Sequence, residues 1–352
     1  MANIKTYSEQ QNIILTRKLN ELLSILPEFC KDFFASIEYT KAPRTKVAYA
    51  MDLKGFFEYL ITANPMFSNY TVRDFKLKGE IDELTSDDLV EYLRHVKLYN
   101  KNGKEVSNSE RAAKRKLATL RTFYGYYHKS KKIEFNPSYQ VDMPKIHDKA
   151  ITRLEVNEVA QLLDNVESGH KLTKGQLSRH EKLKTRDLAL LTLMLGTGIR
   201  VSECVGLDIN DVDFENDRIK VVRKGGAESF VYFGDEVHEI LGEYMTIERK
   251  DLVPASGHEN ALFISSKKQR LCVRSVENLV KKYAYTVTTV KHITPHKLRS
   301  TYGTNLYQAS KDIYLVADVL GHKDVNTTRK HYAEIVDENK RRARNEVKLR
   351  RD

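Results

Sequence analysis

Residues 188–207 read LALLTLMLGTGIRVSECVGL. From Leu188 to Leu195 the run is apolar except for Thr192. A helix apolar on every side belongs inside a protein core, and eight residues fall well short of a bilayer span. Gly196-Thr197-Gly198 then breaks the helix, and a short second helix is expected to start at Arg200. Arg200 thus follows a sharp turn directly off a buried helix.

Toward the C-terminus, DRIKVVRKGGAESFVYF (217–233) reads as two strands around a Gly-Gly turn, a β-hairpin with Lys224 at its mouth. Residues 236–350 look helical in several pieces. In ITPHKLRSTYGT (293–304), His296 and Arg299 follow Pro295 and are three apart, which puts them on one helix face. In VADVLGHKDVNTTRKHYA (316–333), His322 follows a Leu320-Gly321 helix end and Tyr332 comes ten residues later. The chain closes on a basic tail, ENKRRARNEVKLRR.

Toward the N-terminus, TRLEVNEVAQLLDNV (152–166) predicts a helix, and the polar SGHKLTKGQLSRHEKLK (168–184) predicts an exposed loop. The segment YQVDMPKIHDKA (139–150) carries Pro144 and charge without periodic apolar residues, the composition of an extended linker. Before it lie three amphipathic patterns. KAPRTKVAYAMDLKGFFEYLI (41–61) places Pro43 at a first helical position, with Leu53, Phe56, Phe57 and Leu60 in register behind it. LTSDDLVEYLRHV (84–96) offers a Thr85/Asp88 capping box. SERAAKRKLATLRTFYGYYHK (109–129) is the most basic of the three, with Arg111, Lys114, Arg115, Lys116 and Arg121 around a stripe of Leu117, Leu120, Phe123 and Tyr124. Residues 1–27 form a further helical pattern through Ile13, Ile14, Leu19, Leu22, Leu23 and Leu26.

The composition narrows the functional class. The 352 residues suggest two domains or slightly more, and 59 Lys and Arg against 48 Asp and Glu leave a formal charge of +11. A basic chain favours a polyanionic partner, nucleic acid being the commonest. The three cysteines, Cys30, Cys204 and Cys272, are far apart, which suggests neither a zinc knuckle nor a disulfide framework and fits a reducing cytosol. The polar N-terminus has no signal-peptide core. A cytoplasmic, nucleoid-associated protein with no membrane partner is expected.

Two arginines, two histidines, a lysine and a tyrosine now stand at local breaks of the second half, with no carboxylate cluster among them. Arginine is a fixed fork that matches phosphate oxygens. Two of them can stabilise the added charge of a pentacoordinate phosphorus without metal or cofactor. Histidines can donate to the same oxygens or move protons near neutral pH. A lysine can protonate a leaving 5′ oxygen. A tyrosine phenol, with an ordinary pKa of about 10, becomes a nucleophile where cations stabilise its phenolate.

In that order, LMLGTGIRVSECVGL, VVRKGGAESFVYF, ITPHKLRSTYGTNL and VADVLGHKDVNTTRKHYA resemble the four signature blocks of the tyrosine recombinases, the phage-type integrase family. KAPRTKVAYAMDLKGFFEYL looks like the first helix of that family's core-binding domain, so the resemblance covers roughly residues 28–335. It implies that Arg200, His296 and Arg299 hold the scissile phosphate, that His322 supports the transition state, that Lys224 is the general acid and that Tyr332 is the nucleophile. Glu203 matches the family's acidic residue three after the first arginine, where a salt bridge would orient Arg200. The chain departs from the pattern twice. Ser300 stands where many relatives carry histidine, and the spacing from His322 to Tyr332 is one residue longer than is common. One added residue turns a helix by about 100°, so the Tyr332 helix must begin differently or contain a local loop.

The fold expected is mainly α with a small antiparallel sheet. It comprises an accessory helix (1–27), a helical core-binding domain (28–137), a linker (138–150), a catalytic domain (151–335) and a basic tail (336–352). The two domains would clamp double-stranded DNA. Arg44, Lys46, Arg111, Lys114, Arg115, Lys116, Arg121 and Lys145 are the candidate phosphate contacts, and they imply a steep salt dependence. The resemblance implies site-specific strand exchange through a 3′-phosphotyrosine, by a mobile-element integrase or excisionase or an Xer-like resolvase, in a homotetramer on two DNA sites. The alternatives are a type IB topoisomerase, which religates the same strand, and a DNA-binding relative without catalysis. The tail, 338–352, holds seven Lys or Arg against three acidic residues and is expected to dock on a neighbouring subunit.

Overall fold

The computed structural model describes residues 6–101, 103–146, 152–223, 226–322 and 325. The chain forms two compact units, residues 1–149 and 150–352.

The first unit is built on α1 (Tyr7–Ile25), α2 (Cys30–Ser36), α3 (Pro43–Ala63), α4 (Ser86–Lys97) and α5 (Glu110–Lys129). Pro43 occupies the first turn of α3, where a missing N–H costs nothing. Thr85 and Asp88 form the capping box at the start of α4. Phe33, Phe56, Phe57, Phe123 and Tyr127 meet at the centre, fully buried. Two buried tyrosines keep their hydroxyls satisfied: Tyr127 donates to the Phe29 carbonyl at 2.6 Å and Tyr124 to the Ile81 carbonyl at 3.2 Å. Helix α1 belongs to this core, contributing Leu19 and packing along α3, with Leu26 buried just past its end. The stretch after α5 is also packed on the unit. Val141 is buried, and Arg121 donates to the Ser138 carbonyl at 3.2 Å and the Val141 carbonyl at 2.6 Å.

This unit is not purely helical. Strands β1 (Leu98–Lys101) and β2 (Lys104–Ser107) form an antiparallel hairpin. Gly103 takes a positive φ of 76° in the turn, a conformation glycine adopts without strain. Strands of four residues with Leu98 and Tyr99 adjacent on one and Val106 alone on the other give no alternation strong enough to outrank the flanking helices.

The second unit surrounds α8 (Lys184–Thr197), whose Ala189, Leu190, Leu191, Leu193 and Met194 are all wholly buried. Against it pack α6 (Val156–Ser168), α10 (Asp235–Glu243) and α12 (Pro295–Ser310). Helices α9 (Val201–Gly206), α11 (Val273–Val287) and α13 (Ile313–Val319) complete this side. The sheet has the order β3-β4-β5, from Val212–Asp213, Arg218–Val222 and Glu228–Tyr232. Its hairpin pairs Arg218 with Tyr232 through to Val222 with Glu228.

The polar stretch 168–184 is not a loop throughout. It contains α7 (Lys174–His180), started by a Thr173/Gln176 capping box. His180 is fully buried, with Nε2 2.7 Å from the Val166 carbonyl. The seven-residue helix has only one buried side chain, too little apolar signal to stand out from its charge. Beneath it, Asp187 is buried in a polar network, accepting from Tyr283 Oη at 2.9 Å, Lys282 Nζ at 3.1 Å and Arg186 Nε at 3.1 Å.

Candidate active site

The site begins with two helix ends. Helix α8 stops at Gly198, which adopts the left-handed region with φ +63° and caps back onto the Met194 carbonyl at 3.0 Å. Arg200 is the N-cap of α9, and its backbone N–H donates to Glu203 Oε2 at 2.8 Å. The same carboxylate takes Arg200 Nη1 at 2.8 Å, and Glu203 is itself buried. Arg200 is therefore held in one direction by its own helix.

Helix α13 ends in a Schellman motif. Gly321 has φ +60° and donates to the Asp318 carbonyl at 2.7 Å, while His322 N–H donates to the Ala317 carbonyl at 2.9 Å. The motif satisfies the carbonyls of 317 and 318 and fixes where His322 starts. The next three carbonyls are at the negative end of the helix. Each of them receives an arginine: Val319 from Arg223 Nη2 at 3.3 Å, Leu320 from Arg299 Nη2, and Gly321 from Arg200 Nη2 at 3.3 Å.

Arg299 comes from the first turns of α12, where Pro295 sits at the first helical position. It is buried, and its Nη1 donates to the Gly198 carbonyl at 2.7 Å. One guanidinium thus links the end of α8 to the end of α13. Burying such a charge is tolerable because both arms make charge-assisted hydrogen bonds. His296 lies one turn before Arg299 on the same helix and is exposed, and the Ser300 hydroxyl donates back to the His296 carbonyl at 3.1 Å.

The structure therefore brings Arg200, Glu203, Arg299 and the turn leading to His322 together. Lys224, Tyr332 and the tail 336–352 lie outside the described residues. Tyr302 stands near this junction, with ring atoms close to Gly198. Burial raises its phenol pKa, the opposite of what a nucleophile needs. Burial likewise pushes the Cys204 thiol up.

Arg223 was missed by the sequence reading. Its Nη1 lies 3.3 Å from Glu203 Oε2, so Glu203 is shared by two arginines. Strand alternation is the signal that could have found it. Ile219 and Val221 face the core of β4, and Arg223 falls on the same parity just past the strand.

The candidate DNA contacts divide. Arg44, Arg111, Arg115 and Lys145 are exposed and Lys114 is half-buried. Lys46 is buried and paired with Glu38 at 2.6 Å. Asp52, buried on α3, takes Arg115, Lys116 at 3.2 Å and the Thr119 hydroxyl at 3.0 Å. Arg121 is committed to the two carbonyls described above.

The model of the phage integrase family matches residues 152–339. The chain belongs to this family, the tyrosine-type site-specific DNA recombinases. Among the relatives of this recombinase is tyrosine recombinase XerC of Caldanaerobacter subterraneus subsp. tengcongensis, 31% identical over 314 residues, 87% of this chain and 81% of that protein. Tyrosine recombinase XerS of Streptococcus mutans is 30% identical over 351 residues, 93% of this chain and 97% of that protein. The Tn1549 transposon integrase in complex with a circular intermediate DNA shares the fold with a TM-score of 0.61 at 20% identity, over 86% of this recombinase and 94% of that chain. So does XerH bound to a palindromic difH substrate, with a TM-score of 0.60 at 20% identity, over 82% of this recombinase and 75% of that chain. No helix among the described residues is long and apolar enough to cross a membrane.

Proposed function

We propose that this recombinase exchanges strands of double-stranded DNA by transesterification through Tyr332. The observation that carries the reading is the convergence of Arg200 and Arg299 on the turn that presents His322. The Tyr332 oxygen attacks the scissile phosphorus, the bond to the 5′ oxygen breaks, and Lys224 gives that oxygen a proton. A 3′-phosphotyrosine and a free 5′ hydroxyl result. A 5′ hydroxyl of the partner duplex then attacks the phosphotyrosine and returns the phenol. The ester retains the bond energy, so the step draws on neither ATP nor a metal. Arg200, Arg299 and His296 meet the non-bridging oxygens, whose charge grows in the transition state, and His322 supports them. Glu203 orients Arg200.

DNA is gripped through cations that include the exposed Arg44, Arg111 and Lys145 and the half-buried Lys114, and keeps the protein with the nucleoid. Strand exchange takes place in a homotetramer on two sites. The near end-to-end match to XerS supports an Xer-type recombinase over a mobile-element integrase.

A nicked substrate that traps the covalent adduct tests the chemistry on a denaturing gel. Tyr332→Phe is expected to bind DNA as the wild type does and to form no adduct. An adduct surviving in that variant would mean a different nucleophile.

A further inference from the structure

We propose that Arg223 is a positioning residue for the reaction. It offsets the charge of Glu203, so that Arg200 keeps its positive field for the phosphate, and it holds the turn from which His322 emerges. The inference rests on the roles given to Arg200 and His322 above.

Geometry carries the argument. Backbone bonds of Arg223 close the mouth of the hairpin loop: its N–H donates to the Ala227 carbonyl at 2.7 Å, and its carbonyl accepts from Gly226 at 3.0 Å. From that anchored position the side chain turns inward and is only 12% exposed. Its guanidinium lies flat against Gly321, where an added Cβ would come within 2.9 Å of Cζ. One arm reaches Glu203 and the other the Val319 carbonyl, both at 3.3 Å, and Nε is buried without a hydrogen-bond partner among the described residues.

Two features of this arrangement point away from a purely structural role. Long hydrogen bonds and an unpaired buried nitrogen make Arg223 a poor stabilising device, because desolvating a guanidinium is repaid only by full pairing. The charge balance is the second. Arg200 and Glu203 alone would form a neutral pair, whose field falls away quickly toward a phosphate. With Arg223 on the other carboxylate oxygen, the three side chains keep one net positive charge, and Arg200 is the most exposed of them, at 33%. Glu203 can then orient Arg200 without neutralising it.

The test compares cleavage of two nicked substrates by the full chain. One carries a normal scissile phosphate. The other carries a methylphosphonate, in which a methyl group replaces one non-bridging oxygen and removes the negative charge. For R223M we expect unchanged binding to a single site and adduct formation slowed roughly 10- to 100-fold on the phosphate, a smaller effect than losing a direct donor. On the methylphosphonate, where there is less charge to stabilise, the deficit should shrink to about threefold or less. R223K, which keeps the charge, should recover most of the phosphate rate.

An equal deficit on both substrates, or no deficit on either, would overturn the proposal. Should R223M fail to fold, R223K against R223Q decides: equal losses refute a role through charge. Wild-type protein and Tyr332→Phe run alongside. A wild type that forms its adduct through Tyr332 leaves the reaction scheme standing whatever Arg223 does, and a wild type that forms none refutes both.

Discussion

Gly198→Ala is the sharpest single perturbation of this site. A Cβ at position 198 would lie 2.4 Å from Tyr302 Cδ1 and 3.0 Å from Leu320 Cδ2. The ring and the leucine belong to α12 and to the turn after α13, which Arg299 ties together, so neither can retreat freely. The left-handed backbone at φ +63° adds a cost of about 1–2 kcal/mol for any residue with a Cβ. Overpacking adds about 1–3 kcal/mol, and the reduced freedom of the unfolded chain returns about 0.4–1 kcal/mol. The net expectation is a loss of about 1–5 kcal/mol in the second unit, or roughly 2–20 °C in its thermal transition. Because the Gly198 carbonyl is the acceptor for Arg299, cleavage should fall further than the loss of folded protein explains. Calorimetry paired with adduct formation well below the transition measures both. Gly175→Ala is the matched control: its Cβ would meet nothing within 4 Å, and it lies inside α7, where the change is expected to be neutral or stabilising. A Gly198→Ala protein as stable and as active as the wild type would refute both the strain and the coupling to Arg299.

Arg200→Ala and Arg299→Ala should each slow adduct formation by about 10²–10³-fold in single-turnover assays, and cleavage by the wild type should persist in EDTA. Asp52→Ala leaves Arg115, Lys116 and the Thr119 hydroxyl without their shared acceptor and should cost the first unit about 1–3 kcal/mol in urea unfolding. Truncation after residue 337 should leave single-site binding intact but slow recombination of two-site substrates. Unchanged recombination would reduce the tail to an electrostatic appendage.

The helices with strong periodicity were legible because burial writes itself into spacing. Leu53, Phe56, Phe57 and Leu60 on α3 and the apolar run of α8 announce their packing directly. The glycine breaks at 198 and 321 were equally plain, and both prove to be left-handed caps. What the sequence hid was pairing. Nothing in SERAAKRKLATLR says that Asp52, some 63 residues earlier, neutralises part of that basic face. Lys46 reads as a surface cation, yet its ammonium is drawn inward to Glu38. Arg223 is hidden in the same way, its side chain folded back beneath a hairpin mouth that the sequence shows only as a turn. Short elements, the β1–β2 hairpin and α7, carry too few apolar side chains to be heard above their neighbours.

The span of the contacts within each unit bears on how the chain folds as it is made. Lys132 pairs with Asp32 at 2.6 Å and the Tyr127 hydroxyl reaches the Phe29 carbonyl, so the first unit can close once α5 and the few residues after it have left the ribosome. Contacts described in the second unit span longer stretches of chain. The Leu154 N–H is held by the Thr301 hydroxyl, 147 residues later, and Asn165 on α6 by Thr286, 121 residues later. At translation rates of about 5–20 residues per second, Leu154 waits roughly 7–30 s for its partner. Through that interval the apolar face of α6 and the apolar run of α8, Leu188 to Leu195, are synthesised ahead of the helices that cover them. A finished first unit then trails an unfinished, sticky second one. This makes the nascent second unit the stage at which chaperones or low temperature during expression would matter most.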